Sequence, residues 1–173
     1  MNYDLSVFNF FHGLAGQSKW LDWLVIFLGE YFPYLVAAGF LVWLYFEEDW
    51  RTRIQKLAFA VLVIVLARGI LAEVIRFIYF RARPFAALDF MPLFNHEAVA
   101  SFPSGHATLF FAVAFSVFYF SKRWGIWGLV AASFISVARV VAGVHWPLDI
   151  FAGALVALLS FLVVKWALAK YLK

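Results

Sequence analysis

The sequence predicts an all-α fold, a polytopic membrane helix bundle of about five to six spans with an extra interfacial N-terminal helix. Of its 173 residues, 66% are hydrophobic and only 14% are charged, whereas soluble domains average about 45–50% apolar and about 25% charged residues. The apolar residues form long runs separated by short charged turns. One integral-membrane domain, residues 1–173, is expected at this length.

The N-terminal part of the chain predicts two elements. The apolar residues within 1–19 are too few to span a bilayer, and the short helix predicted there is expected to lie in the interface plane. Residues 20–46 form either one kinked span or a short helix followed by a span. The second arrangement is preferred, because Gly29 and Pro33 interrupt the run.

The next span is predicted from about Ile54 to Phe80. It contains Arg68, Glu73 and Arg76, whose charges are costly in hydrocarbon and are therefore expected to face protein or water. Arg68 and Glu73 are five residues apart, which is not an ideal spacing for a pair, and they are assigned a structural role. Arg68 also lies about two turns from Arg76, which is deep for a phosphate headgroup. Residues 81–104 form a polar loop. The remaining spans are predicted at residues 107–120, 124–144 and 147–168.

The placement of lysine and arginine predicts the orientation of the spans. Basic residues cluster in the turns at 47–56 and 121–123 and at the C-terminal end, which are expected in the cytoplasm. They are Arg51, Arg53, Lys56, Lys122, Arg123, Lys165, Lys170 and Lys173. The 81–104 loop and the 139–149 turn then share the extracytoplasmic side of a plasma (inner) membrane.

Two arginines in the segment 76–84 are candidates for phosphate binding. Arg76 and Arg83 are seven residues apart, which places them on one face if the helix continues that far. Guanidinium groups bind phosphate oxygens bidentately and stay charged at any working pH. The alternative is that they are interfacial arginines extending towards lipid headgroups, and Arg81 is assigned to that class.

The segment Phe102–His106 separates two apolar runs and differs from both. Ser104 is a good N-cap, Gly105 lets the backbone approach a ligand closely, and a helical run begins at His106. A helix starting here would direct free N–H groups and its positive dipole end at an anion. The segment is a candidate phosphate site, with a plain helix cap as the alternative.

A third polar group lies at residues 139–149. Pro147 fits the first position of a helix, which places Asp149 in the first turn and His145 just before the helix. Asp149 could accept one imidazole N–H and leave the other nitrogen as a nucleophile, with Arg139 in reach of the same anion. A loop histidine and an aspartate that complements the helix dipole are the alternative.

Together these groups predict nucleophilic phosphoryl transfer without a metal or cofactor. His145 would attack phosphorus and form a phosphohistidine, Asp149 would stabilise the imidazolium, and His106 would protonate the leaving oxygen and then deprotonate water. A divalent cation is not expected, because the arginines would repel it. The phosphate oxygens are expected to be held by Arg76, Arg83, Ser104, Gly105 and Arg139.

The three segments, in this order, resemble the motifs of the type 2 phosphatidic acid phosphatase superfamily. Those motifs are a basic residue, six residues, then Arg-Pro; Pro-Ser-Gly-His; and Ser-Arg, five residues, His, three residues, Asp. Two positions depart: Arg76 stands where lysine is usual, and Ala138 replaces the serine, which removes one hydroxyl contact to phosphate. The resemblance implies a phosphatase with the residue roles given above.

The opening of the chain (Met1-Asn2-Tyr3, then His12-Gly13-Leu14), its short length and its missing first span look like bacterial undecaprenyl-diphosphate phosphatases of the bacitracin-resistance type. This similarity implies that the substrate is a lipid phosphate or diphosphate in the bilayer, most specifically undecaprenyl diphosphate. Phosphatidylglycerophosphate and phosphatidate are the alternative substrates. A non-catalytic membrane protein that binds lipid headgroups, or a transporter, is the alternative from a different class.

The sequence also limits the partners. A net charge of +4 accompanies 22 Phe and eight Trp, a composition typical of a membrane-interface protein, so no nucleic-acid partner is expected. The oligomeric state is not indicated. Asn95, His96 and Glu97 precede the 102–106 segment and could gate it, but they are interpreted as decoration of the loop.

Overall fold

The computed structural model describes residues 3–169, and their regular structure is helical. Met1 and Asn2 of the opening, and Lys170 and Lys173 of the charge pattern, lie outside the described residues. Four of the described helices are long and apolar enough to cross a membrane, and a fifth is apolar but has only 16 residues. The predicted all-α membrane bundle is confirmed. The helices are α1 (Tyr3–His12), α2 (Lys19–Tyr45), α3 (Trp50–Ile78), α4 (Pro84–Ala87), α5 (Gly105–Phe120), α6 (Lys122–Val141) and α7 (Pro147–Leu168).

The preferred break within residues 20–46 is wrong, because α2 continues through it as one candidate span. Phe27–Tyr31 form a π-helical segment, so the helix widens locally instead of ending. Pro33 lacks an N–H, which removes the usual helical donor to the Gly29 carbonyl four residues earlier. That carbonyl accepts a hydrogen bond from Arg139 Nη1 at 3.0 Å. A contact from α6 therefore supports α2 where the sequence indicated a break.

α3 also contains a π-helical segment, at Val65–Leu71, and it ends at Ile78 rather than two residues later. The backbone is extended at the next residue. Arg76 and Arg83 therefore do not share a face of one continuous helix, and that expectation is wrong. Arg83 is instead the N-cap residue of the short helix α4.

α5 lies at the centre of the bundle and packs against α3, α6 and α7. One core cluster joins Phe59 of α3, Ala112 of α5 and Phe161 of α7. Small residues permit the closest approach of helices in a membrane, and a Cβ on Gly153 of α7 would lie 2.9 Å from the Ser104 carbonyl. The N-terminal ends of α5 and α7 therefore meet, which brings two of the predicted polar segments together.

The N-terminal helix α1 is docked on the same end of the bundle. Phe8 is buried in a cluster with Val140 of α6 and Trp146, which precedes α7. The ring centroids of Phe8 and Trp146 are 5.0 Å apart. Asp4 is also buried, and its Oδ1 accepts a hydrogen bond from the Leu148 N–H at 2.9 Å. The predicted short helix is present, and one of its faces packs against protein.

The basic turns share the other end of the bundle. Lys165, near the end of α7, lies over the ring of Tyr119, with Nζ 5.6 Å from the centroid. The same ring stacks on Phe59, in the first half of α3, at 5.1 Å. The turn between α5 and α6 and the end of α7 therefore lie near the start of α3, away from the polar segments that precede α5 and α7.

Candidate active site

The start of α5 is capped by Ser104. Its Oγ accepts a hydrogen bond from the Ala107 N–H at 3.4 Å, and its own N–H donates to the Asp149 carbonyl at 3.0 Å. The Ser104 side chain is fully buried. These two contacts fix the N-termini of α5 and α7 relative to each other. The first free N–H groups of α5 therefore point in a fixed direction.

Gly105 lies beneath two arginine side chains of α3. A Cβ at this position would be 2.8 Å from Arg76 Nη2 and 2.9 Å from Arg68 Nε. Arg76 Nη2 also donates to the Pro103 carbonyl at 2.9 Å, and Glu73 pairs with both arginines. Arg68 and Glu73 are five residues apart, and the π-helical segment of α3 brings these two side chains together. The glycine is needed here because two guanidinium groups approach the backbone closely.

His145 and Asp149 are buried side by side at the start of α7. His145 Nε2 lies 3.1 Å from Arg83 Nη1. A guanidinium only donates, so Nε2 carries the lone pair and Nδ1 carries the proton. Nδ1 lies 3.4 Å from Asp149 Oδ2 and 3.3 Å from Ser101 Oγ, and the Ser101 hydroxyl donates to Asp149. The structure thus places Asp149 on the protonated ring nitrogen, while the lone pair of the other nitrogen accepts a hydrogen bond from Arg83.

Burial and neighbouring positive charges favour the neutral forms of His145 and His96 in the absence of substrate. The pKa of His145 lies well below its ordinary value of 6.5, chiefly because the ring is buried, with Arg83 and Arg139 adding to the effect. The pKa of His96 is lowered to about 4 by burial and then by the same two arginines. Burial and the charge of Arg76 lower the pKa of Arg83 to about 10. A neutral imidazole is the form that a nucleophile requires.

Two adjoining cavities contain the predicted residues. The arginine cavity, of about 300 Å³, is lined by residues that include Arg68, Arg76, Arg83, His96, Gly105, His106 and His145. The tyrosine cavity, of about 430 Å³, is lined by Tyr31, Tyr34, Glu30 and Arg139 among others. His96 and His106 line both cavities. The two histidines predicted to act on phosphate, His106 and His145, therefore face one cavity.

The arginines of both cavities contain unpaired donors. Among the described residues, four buried side-chain N or O atoms lack a hydrogen-bond partner, and three of them are the Nε atoms of Arg76, Arg83 and Arg139. A buried donor without a partner costs about 1–3 kcal/mol, and a phosphate group would supply the missing acceptors. Residues 3–169 contain no group of three or more His, Cys, Asp or Glu side chains that could hold a metal ion.

The assignment of Arg81 to the interfacial arginines is wrong. Its Nη1 donates to Asp149 Oδ1 at 2.9 Å, and its Nη2 pairs with Asp4. The reason is that the chain is extended after α3 and passes across the start of α7. Ser101, which contacts both His145 and Asp149, was not predicted, because these contacts join residues 44 and 48 positions apart and no local pattern connects them.

Two other interpretations from the sequence are also wrong. His96 is not loop decoration, because it lines both cavities and its ring centroid is 6.3 Å from that of His145. Arg68 is not too deep for the site, because it lines the arginine cavity above Gly105. Isolated polar residues in a loop produce no periodic pattern, which is why His96 gave no signal.

A membrane helix bundle with a buried His–Asp pair facing an arginine-lined cavity has the features of an integral-membrane phosphate hydrolase. Residues 57–172 match the family model of the PAP2 superfamily, and the chain belongs to this superfamily. The superfamily and the class of enzyme predicted from the sequence, a membrane lipid phosphatase, are confirmed.

Comparison with individual proteins gives consistent results. The chain is 37% identical to the bacitracin transport permease protein BcrC of Bacillus licheniformis, an alignment covering 96% of this chain and 81% of that protein. It is 30% identical to the undecaprenyl-diphosphatase BcrC of Bacillus subtilis (strain 168), covering 92% and 80%. The crystal structure of LpxE from Aquifex aeolicus, 26% identical, superposes with a TM-score of 0.76 over 95% of each chain.

Proposed function

We propose that the protein hydrolyses undecaprenyl diphosphate to undecaprenyl phosphate and inorganic phosphate, at the extracytoplasmic face of the plasma membrane. The observation that carries the proposal is the set of unpaired guanidinium donors around the cavities that contain His106 and His145. The name of the B. subtilis relative supports the substrate. The basic turns at the opposite end of the bundle support the orientation.

The two cavities suit a diphosphate better than a monophosphate. The terminal phosphate would occupy the arginine cavity beside His145, and the inner phosphate would reach the tyrosine cavity, where Arg139 is available. His96 and His106 line both cavities and would lie near the bridging oxygen. An apolar groove shares both tyrosines with the tyrosine cavity and continues along α2, which gives a prenyl chain a path to the bilayer.

The proposed reaction has two steps. The lone pair of His145 Nε2 forms a bond to the terminal phosphorus while the bond from phosphorus to the bridging oxygen breaks. His106 takes up a proton when the negatively charged diphosphate binds beside it, and it gives this proton to the departing lipid phosphate. Water then attacks the phosphohistidine, the nitrogen–phosphorus bond breaks with its electron pair returning to Nε2, and His106 takes the proton from water. Asp149, which faces Nδ1, stabilises the imidazolium, and the arginines hold the equatorial oxygens.

The test is phosphate release from undecaprenyl diphosphate by the purified protein in detergent. His145→Gln is expected to reduce release by several orders of magnitude and to leave lipid binding intact, because glutamine lacks the nucleophilic lone pair. His12→Gln is the matched control, since His12 contacts the Val141 carbonyl at 2.8 Å and lines neither cavity. Release at the native rate by His145→Gln would disprove the proposal. Loss of release in EDTA would disprove the metal-free mechanism.

The same assay separates the alternative functions. Faster release from phosphatidylglycerophosphate or phosphatidate than from the prenyl diphosphate would reassign the substrate. A transport function is tested in a separate experiment, because one relative is named a transport permease. Bacitracin movement across proteoliposomes that persists in His145→Gln would favour transport, and lipid binding without any release would favour a non-catalytic headgroup-binding protein.

A further inference from the structure

Asp4 is a buried carboxylate that the proposed reaction does not use. It lies in the first turn of α1 with 6% of its surface exposed. A buried carboxylate is costly unless it is paired and hydrogen-bonded. Both conditions are met, because Oδ1 accepts from the Leu148 N–H at 2.9 Å and Oδ2 pairs with Arg81. Asp4 therefore joins the N-terminal helix to the first turn of α7, the turn that contains Asp149.

Arg81 connects Asp4 to Asp149 and is itself held in place. Its Nη2 pairs with Asp4, and its Nη1 donates to Asp149 Oδ1 at 2.9 Å. Its guanidinium carbon lies 5.0 Å from the centroid of the Trp146 ring, a cation–π distance. The Trp146 Nε1 donates to the Ala82 carbonyl at 2.9 Å, which fixes the ring against the segment that carries Arg81.

The two oxygens of Asp149 have different partners. Oδ2 faces His145 Nδ1 and also accepts from the Ser101 hydroxyl and the Trp146 N–H. Oδ1 is held by Arg81. With both oxygens held, the plane of the carboxylate is fixed relative to the imidazole. A change that moved Arg81 would therefore rotate the Asp149 carboxylate or alter the negative charge that Asp149 presents to His145.

We propose that Asp4 and Arg81 are positioning residues for the Asp149–His145 pair. Helix α1, which carries Asp4, therefore helps to orient the catalytic residues. The inference rests on the proposed function, in which His145 is the nucleophile. Asp4 balances the charge of Arg81, and Asp149 thereby keeps negative charge for the imidazolium that forms at His145. Without Asp4, the whole charge of Arg81 falls on Asp149, and the imidazolium is stabilised less.

Asp4→Asn tests this with little change in shape, because asparagine keeps the acceptor for the Leu148 N–H. The expected result is a kcat lower by about ten-fold, the scale of such outer contacts, with KM unchanged because Asp4 is outside both cavities. The rate of phosphoenzyme formation in a single turnover should fall by the same factor. Asp4→Glu, which restores the charge, should recover most of the rate. A purely structural role would not produce this split between kcat and KM or this recovery.

Asp22→Asn is the matched control, since Asp22 is another N-terminal carboxylate that accepts a backbone N–H, from Gly16 at 2.8 Å, and is not connected to Asp149. It should keep the native kcat. In a double-mutant cycle, Asp4→Asn combined with Arg81→Gln should lose no more than the worse single variant, because the two act through one contact. Full additivity, or a native kcat in Asp4→Asn, would overturn the inference.

Folding is monitored by melting temperature and by the stoichiometry of vanadate binding. If Asp4→Asn does not fold, Arg81→Lys is tested instead. Lysine keeps the charge but cannot bridge two carboxylates in the same geometry, so kcat of the folded variant should fall about ten-fold. A native kcat would overturn the inference. An inactive His145→Gln beside a native Asp4→Asn would refute only the positioning role. An active His145→Gln would refute the proposed function itself.

Discussion

Replacing Gly105 with alanine tests whether the start of α5 is shaped for guanidinium groups. The new Cβ would lie 2.8 Å from Arg76 Nη2, and ordinary contact begins at 3.4 Å, so the atoms must separate by at least 0.6 Å (3.4 − 2.8). Since a misplacement of about 1 Å can cost about 100-fold in rate, a shift of about 0.6 Å is expected to lower kcat/KM about ten-fold, or about 1.4 kcal/mol. Stability should not fall, because alanine is favoured over glycine in a helix by up to about 1 kcal/mol and the guanidinium end of Arg76 is able to move.

The assay measures phosphate release and melting temperature for Gly105→Ala beside a control, Gly39→Ala. Gly39 lies in α2, and a Cβ there would have nothing within 4 Å, so this variant should keep the native rate and gain stability. A native kcat/KM in Gly105→Ala would refute the close approach of Arg68 and Arg76 as a functional requirement. A lower melting temperature accompanying the lost rate would show that packing, rather than phosphate binding, is what the glycine serves.

Three further predictions concern the charges of the site. Arg83→Lys should lower kcat/KM about 100-fold, measured by phosphate release, because lysine cannot bind phosphate bidentately; a loss below about three-fold would contradict this. The pKa of His96 in the folded protein, about 4, lies below its ordinary value of 6.5. Between pH 6.5 and pH 4 the unfolded state therefore binds more protons than the folded state, and the free energy of unfolding falls as the pH decreases through this range. His96→Gln should lessen that fall in thermal melts at pH 7 and pH 5, and an unchanged pH dependence would show that partial burial and the nearby arginines do not lower the pKa of His96. Vanadate should inhibit the native protein, measured by inhibitor titration. It should bind the inactive His145→Gln poorly, measured for both proteins by equilibrium dialysis, and equal binding to both would argue against a bond to His145.

The parts of the fold that follow from local signals could be predicted from the sequence. α7 has the predicted bounds Pro147–Leu168, because a proline at the first position and an uninterrupted apolar run define them locally. The contacts of Arg81 and Ser101 could not be predicted in this way. Arg81 and Asp4 are 77 residues apart, and Ser101 and Asp149 are 48 apart, and no spacing rule for one helix or turn connects residues at such distances. These contacts exist only because the helices that carry them pack together.

The two π-helical segments lie where two predictions failed, the break in α2 and the depth of Arg68, and both lie beside the site. In α2 the segment lies just before Pro33, and the Gly29 carbonyl is left to accept from Arg139 of the tyrosine cavity. In α3 the segment brings Arg68 to Glu73 and places Arg68 over the start of α5. A regular 3.6-residue period assumes neither a widened turn nor a freed carbonyl, which is why the sequence indicated a break in α2 and too great a depth for Arg68. π-helical turns occur frequently at functional sites. The segment in α3 brings Arg68 to Glu73. In α2, by contrast, the missing N–H of Pro33, next to the π-helical segment, leaves the Gly29 carbonyl to accept from Arg139.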